Sequence, residues 1–367
     1  MNSIIVGPVY PYRGGISNYT RQLALGFISA GHAARVVSFA RQYPSFLYPG
    51  KTDLDPSPRP AELPDSDFIL DPLAPHTWRR TSRRIVKANP GLVCLNWWTP
   101  FWALPFSHLI RASTGAGINT VVIVHNVLPH EVSAFDRLLT RWTLRNARKF
   151  LTHSAIEAEK LRALTTGRSK IALHPLPPFD HPESGDTFDV RQDLGIGLDE
   201  RILLFFGFIR AYKGLSLLLE ALAILRAALV MPKLVIAGEF WEPKAAYLEQ
   251  IAWHGLESQV FLMEGYISDD RIGALFRAAD ILVAPHLRGT QSGAVALAQG
   301  FGLPVVASTS IASGITSVAD YPLSVFETGN AADLARAIET QLAAPGTRTP
   351  LSITPYWAEL ARSLAAL

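Results

Sequence analysis

Arg210 and Lys213 stand three positions apart in FGFIRAYKG (206–214), after the apolar run RILLFF and before a leucine-rich helical pattern. In an open α/β sheet that junction is the edge where ligands sit. A guanidinium offers a planar fork of donors and an ammonium a point charge, a combination suited to a phosphate or diphosphate. The competing reading is two solvated loop charges. A second polar group, Arg288-Gly289-Thr290-Gln291-Ser292-Gly293, lies between the apolar ILVA and the helical GAVALAQG. Its end reads as a helix N-terminus, whose backbone N–H groups at Ser292 and Gly293 point outward and favour an anion. Thr290 and Gln291 supply hydrogen-bonding groups for hydroxyls, and Arg288 adds charge; the plainer reading is a serine N-cap.

Gly14 and Gly15 fall between the first apolar run and the first helical pattern, which permits close approach by a ligand or merely a tight turn. The dinucleotide fingerprint G-x-G-x-x-G is absent. His125 ends the apolar run VVIVH, followed by Asn126, His130 and Glu131 in a spacing that matches no common zinc pattern. An orienting or acid/base role for His125 and a purely structural, hydrogen-bonded role both stay open. Asp65-Ser66-Asp67 has the form of a metal-binding pair but reads as solvated turn chemistry. Arg79, Arg80, Arg83, Arg84 and Lys87 share roughly one side of an expected helix, a pattern for anionic head groups or a solvated face. Trp97, Trp98 and Trp102 cluster near a strand end as core, as an acceptor platform or as a membrane-interface group. No G-x-S-x-G, C-x-x-C or Walker loop occurs.

The elements that must hold these groups alternate along the chain. Strand-like runs SIIVG, ARVVSF, DFIL, LVCLNW, TVVIVH, KFLTH and KIALHPL are separated by helical patterns, with a long polar loop over 41–66. Periodicity lapses at PLPPFDHPESGDTF (175–188), then restarts with RILLFFG, KLVIAG, QVFLME, DILVAP and PVVAS. Two doubly wound α/β domains in tandem are expected, at 1–180 and 188–350, with a last helix over 351–367 returning to the first. Charge divides the same way: residues 1–185 carry 21 cations against 12 carboxylates, and residues 186–367 carry 13 against 19. A basic first domain is suited to phosphates or anionic lipid. Cys94 is the only cysteine, so no internal disulfide forms. The N-terminal apolar run is too short for a signal peptide, and Gly91–Ile110 parses as strand, turn and short helix rather than a span.

The motifs FGFIRAYKG, AGEFW, GYISDDRIGALFRAADILVAPH and GFGLPVVAS, in this order, resemble family 4 glycosyltransferases of GT-B architecture. GPVYPYRGGISNYT and VHNVLPHE resemble that family's acceptor-side loops. The resemblance implies two Rossmann-like domains facing a central cleft. It implies transfer of a hexose, with retention, from a nucleotide-diphosphate sugar to a saccharide or lipid-linked acceptor, without metal or further cofactor. Arg210 and Lys213 would neutralise the leaving diphosphate and His125 would sit by the donor sugar. Gly14, Gly15, Glu239, Tyr266, Ile267, Arg288, Thr290, Gln291, Ser292 and Gly293 would contact the donor. Trp97, Trp98, Trp102, Arg80 and Arg84 would face the acceptor or a membrane. The expected partners are a nucleotide sugar, the acceptor and an anionic membrane surface, with no nucleic acid, in a cytoplasmic setting at the inner face of the membrane. The chain departs from the family where paired glutamates are usual, with Gly289 and Leu297 there instead, and Phe208 follows Gly207 where an arginine is usual. A variant branch is the expectation; a nucleotide-sugar epimerase or a non-catalytic nucleotide-sugar-binding subunit are the alternatives.

Overall fold

The structure is a computed structural model that describes residues 1–44, 52–56, 64–128, 133–165, 169–179, 188–343 and 348–367. His130, Glu131, much of the 41–66 loop and residues 180–187 of the expected linker lie outside the described residues. The chain divides into two compact units, one of Met1–Pro177 with Thr354–Leu367, the other of Pro178–Ile353.

The first unit is built on a seven-stranded sheet in the order β3-β2-β1-β4-β5-β6-β7. Its elements are β1 (Asn2–Val6), α1 (Gly15–Ser29), β2 (Ala33–Phe39), β3 (Asp65–Leu70), α2 (Pro75–Ala88), β4 (Leu92–Trp97), α3 (Ala103–Gly115), β5 (Thr120–Val124), α4 (Ala134–Leu144), β6 (Lys149–Thr152), α5 (Ala155–Thr165) and β7 (Lys170–Leu173). Every pairing is parallel. Strands covered on both faces read as continuous apolar runs, and every residue of β4 and β5 is buried. Gly91–Ile110 resolves into β4, a 3₁₀ turn at Pro100–Trp102 and the start of α3. Right-handed crossovers place α2, α3, α4 and α5, which all step the same way across the sheet, on one face. α1 steps the other way, burying Tyr19, Leu23 and Phe27 at helical spacing.

The second unit opens with α6 (Val190–Leu194) and holds a six-stranded parallel sheet in the order β10-β9-β8-β11-β12-β13. It runs β8 (Ile202–Phe206), α7 (Leu215–Ala227), β9 (Lys233–Gly238), α8 (Ala245–Trp253), β10 (Val260–Glu264), α9 (Asp269–Ala278), β11 (Ile281–Ala284), α10 (Gly293–Gly300), β12 (Val305–Ser308), α11 (Thr309–Ala312), β13 (Leu323–Phe326) and α12 (Ala331–Ala343). The sequence reading missed β13 and α12. β13 is four residues long with only Phe326 buried, too short for a periodic signal. Finally α13 (Thr354–Ala365) belongs to the first unit and packs on α1 so closely that a Cβ on Gly26 would lie 2.6 Å from the Trp357 carbonyl oxygen.

Candidate functional site

In the second unit the strand order reverses between β8 and β11, so their carboxyl ends border a crevice. Arg210 and Lys213 follow β8, and the 285–292 segment follows β11. These two loops are tied together: the Leu287 N–H donates to the Tyr212 carbonyl at 2.7 Å. Gly214 permits it, because a Cβ there would lie 2.0 Å from the Pro285 carbonyl oxygen, and its φ of 76° suits glycine. The neighbouring loops join the same edge. The Ile209 N–H donates to the Glu239 carbonyl at 2.9 Å, and the Gly265 N–H to the Gly238 carbonyl at 3.0 Å, which brings up Tyr266 and Ile267.

Lys213 is half-buried, and its Nζ lies 2.9 Å from where a Cβ on Gly207 would stand. Burial, then the like charge of Arg210, pull its pKa down to about 8. Among the described residues no carboxylate ion-pairs with Arg210 or Lys213. Glu242, which does reach this loop, accepts from the Ala211 N–H at 2.8 Å and from the Tyr247 hydroxyl. Two adjacent cations, one drawn out of water and neither ion-paired, are chemically suited to an anion. The Arg210 guanidinium is held over the Trp241 ring, 4.6 Å from its centroid, and Trp241 lies against Phe208 at 4.2 Å between centroids. Phe208, where the related family usually has arginine, thus helps to position the arginine two residues on. Sequence reasoning missed Trp241 as a partner of Arg210, because the two are 31 residues apart and meet only through the pairing of β9 with β8.

The segment after β11 is more structural than expected. The Ser292 hydroxyl caps α10 by accepting from the Val295 N–H at 3.5 Å, and the Ala296 N–H donates to the Ser292 carbonyl at 3.0 Å. Thr290 and Ser292 are buried, Gln291 half-buried, and Arg288 and Gly293 exposed. A Cβ on Gly314 would lie 2.0 Å from the Thr290 carbonyl oxygen, so that backbone is fixed from behind. At Gly289 a Cβ would meet Ile311 Cγ2 at 2.9 Å, which leaves no ready room for the family's glutamate without a shift.

In the first unit the order reverses between β1 and β4. Gly14 takes φ 103° at the N-cap of α1, without a side-chain cap or a carboxylate in the first turn. A Cβ on Gly14 or Gly15 would meet nothing within 4 Å, so the backbone there faces open space. His125, directly after β5, is buried in a hydrogen-bonded network whose members Asn96 and Thr20 no motif had marked. Its Nε2–H donates to Asn96 Oδ1 at 3.1 Å, Asn96 Nδ2 donates to Thr20 Oγ1 at 3.1 Å, and Thr20 donates to the Ile16 carbonyl at 2.9 Å. Beside it, His153 Nδ1–H donates to the His174 carbonyl at 2.7 Å, so its Nε2 accepts from the Tyr19 hydroxyl at 2.9 Å. Burial, then the neighbouring His153, holds the His125 pKa well below the usual histidine value, and burial takes His153 to about 4. Both imidazoles are neutral near neutral pH, which suits His125 to orienting rather than to delivering a proton.

Several expectations are corrected. Trp97 and Trp102 are fully buried core residues, Trp102 stacked on Phe39 at 4.1 Å, and present no surface for an acceptor. Trp98 is only partly buried and donates to the Tyr43 hydroxyl at 2.8 Å. Asp65 and Asp67 lie within β3 rather than in a turn, and both pair with Arg35 at 3.3 Å. Arg80 and Arg84 are exposed on α2, with Arg84 3.9 Å from Asp67, and their expected surface role is unchanged. Cys94 is buried in β4 with its thiol pKa pushed up, so it is inert. Among the described residues, no three His, Cys, Asp or Glu side chains gather as metal ligands.

Residues 200–344 match the family model for glycosyl transferases group 1, and residues 14–177 match the glycosyl transferase 4-like domain. With these two matches and two Rossmann-like sheets, the chain belongs to the family 4 glycosyltransferases of GT-B architecture. It is 22% identical to an uncharacterized glycosyltransferase of Methanocaldococcus jannaschii over 324 residues, 82% of this chain and 78% of that protein. It is 26% identical to the GDP-mannose:glycolipid 4-beta-D-mannosyltransferase of Xanthomonas campestris over 196 residues, 52% of this chain and 50% of that protein. Among solved structures, Anabaena HepE in complex with UDP and glucose shares the fold, with a TM-score of 0.64, 17% identity, and coverage of 99% of this chain and 95% of that one.

Proposed function

We propose that this glycosyltransferase moves a hexose, with retention of configuration, from a nucleotide-diphosphate sugar to a saccharide or lipid-linked acceptor. The observation that carries the donor class is the unneutralised Arg210–Lys213 pair at the β8/β11 edge. When the anomeric C–O bond breaks, its electron pair goes to the diphosphate. Two fixed cations stabilise that charge, and removing one such preorganised group typically costs about 2.7–4 kcal/mol of transition-state energy. The same pair supplies the neutralisation that a divalent ion supplies elsewhere, which supports a metal-independent reaction.

Tyr266, Ile267 and Glu239 are assigned to the nucleoside and ribose, because their loops flank the cation pair on the β9 and β10 side. Thr290, Gln291 and Gly293, with Arg288, are assigned to the sugar in place of the missing carboxylates. Gly14, Gly15 and neutral His125 are assigned to donor phosphates and a sugar hydroxyl. A glycolipid acceptor is supported by the name of the Xanthomonas relative and by the basic character of residues 1–185.

The test is product analysis with UDP-, GDP- and ADP-hexoses and a panel of saccharide and lipid-linked acceptors, with and without chelator. Transfer that survives chelation and keeps the donor's anomeric configuration supports the reading. Sugar interconversion without acceptor would indicate an epimerase, and binding without turnover a non-catalytic subunit.

A further inference from the structure

The two cations of the 210–213 loop are held from outside their own segment. The 3₁₀ turn Ala211–Lys213 starts after Arg210, whose side chain gives the turn no capping hydrogen bond. Elsewhere the caps are local: Ser133 caps α4 and Asp189 caps α6, each from the position just before its helix. Here the capping group is Glu242, 31 residues on, in the loop after β9. Its Oε2 accepts from the Ala211 N–H at 2.8 Å.

Glu242 is itself fixed. Its Oε1 accepts from the hydroxyl of Tyr247, a buried residue of α8 whose ring centroid lies 6.1 Å from that of Phe240. Burial, then the hydrogen bond and the charge of Glu242, push the Tyr247 hydroxyl pKa up, so it remains a donor. Lys244, between the two in sequence, pairs with Glu264 at 2.7 Å and does not draw Glu242 away. The backbones pair alongside: Ile209 bridges Phe240, and the Trp241 N–H donates to the Ile209 carbonyl at 3.1 Å. Two successive residues of one loop thus hold two successive residues of the other. Trp241 takes the guanidinium of Arg210, and Glu242 takes the N–H of Ala211.

We infer that Glu242, steadied by Tyr247, is a positioning residue for the donor diphosphate: it sets the turn that carries Lys213 without ion-pairing with either cation. A carboxylate bound to the backbone between two cations could neutralise them if its oxygens turned that way. Both oxygens are occupied by other donors, so the cations keep their charge for an anion. An ordinary turn cap accounts for the bond to Ala211 but not for the buried tyrosine that holds the second oxygen. The inference rests on the reading of Arg210 and Lys213 as the diphosphate site.

The experiment screens UDP, GDP and ADP on the wild type by thermal shift and titrates the tightest binder by calorimetry. Glu242→Ala removes a hydrogen bond to a charged acceptor and should weaken binding about 10- to 100-fold. Glu242→Gln keeps an oxygen for the Ala211 N–H and should stay within about five-fold of the wild type. Tyr247→Phe should lose about 2- to 10-fold. Because Glu242 acts by placing Lys213, Glu242→Ala should cost less in a Lys213→Ala background than in the wild type. A role in stability alone would lower melting temperatures and show neither the rescue by glutamine nor this coupling. Unchanged affinity in Glu242→Ala, equal losses in Glu242→Ala and Glu242→Gln, or strict additivity with Lys213→Ala overturns the inference. Should Glu242→Ala not fold, Tyr247→Phe decides, and undiminished affinity there overturns it. Lys213→Ala that binds as the wild type does marks a failure of the donor reading. Weakened Lys213→Ala beside intact Glu242→Ala marks a failure of this inference alone.

Discussion

The guanidinium of Arg210 lies 4.6 Å from the centroid of the Trp241 ring, which rests in turn against Phe208. An arginine side chain loses considerable rotamer freedom when it binds an anion, and stacking fixes it beforehand. The cation–π contact itself is worth about 0.5–2 kcal/mol. Trp241→Ala is therefore expected to weaken nucleoside diphosphate binding roughly 2- to 30-fold by titration calorimetry, while the protein stays folded. Undiminished affinity would mean that the stack does not position Arg210.

Lys213→Ala is expected to fold and to lose about 10²–10³ in kcat, the usual effect of deleting one group that stabilises developing charge. Steady-state kinetics with the cognate donor and a thermal melt together check this. Near-normal turnover would remove Lys213 from the reaction.

The free protein's Lys213 pKa is depressed to about 8, first by burial and then by Arg210. Below that value the ammonium is present to meet the diphosphate. As pH rises through it the free protein loses the proton, which binding must then restore. The dissociation constant for UDP should rise by up to about tenfold per pH unit above 8. In Lys213→Arg, whose charge persists, the profile should be flat over this range. A flat wild-type profile would show that the ammonium is well solvated.

His125 and His153 are buried neutral, with pKa values below the unfolded value. The unfolded chain therefore takes up protons that the folded one refuses, so stability rises with pH between about 4 and 6.5 and is lost as pH falls through that window. Each histidine contributes up to about 1.4 kcal/mol per pH unit there. The melting temperature should fall from pH 6.5 to 4.5, and fall less steeply in His153→Gln. Equal slopes in the two proteins would argue that His153 titrates normally.

Gly214→Ala should fail through its backbone. An added Cβ would lie 2.0 Å from the Pro285 carbonyl oxygen, at a φ of 76° that L side chains rarely adopt. The loops after β8 and β11 must separate to admit it. Expected are a loss of stability of about 1–3 kcal/mol, read by urea denaturation, and a loss of donor binding. Full retention of both would show that the loops need not touch.

The sequence by itself determined the alternation of strands and helices, because parallel strands buried on both faces must be continuous apolar runs such as TVVIV and RILLFF. It also marked Arg210 and Lys213, because two cations after such a run fall at a sheet edge. Only the tertiary structure decided what surrounds them. Trp241 reaches Arg210 because β9 lies beside β8, and Pro285 reaches Gly214 because β11 lies on its other side. Strand order is set by which helix faces bury against which sheet face, and no local pattern encodes it. Likewise Trp97 and Trp102 read as surface platforms or as core with equal ease, since aromatic residues suit either. Packing against Phe39 and Phe106 decided for the core. His125 needed Asn96 from β4, Thr20 from α1 and His153 just after β6 to acquire its neutral, oriented state, three segments that meet only after the sheet has formed.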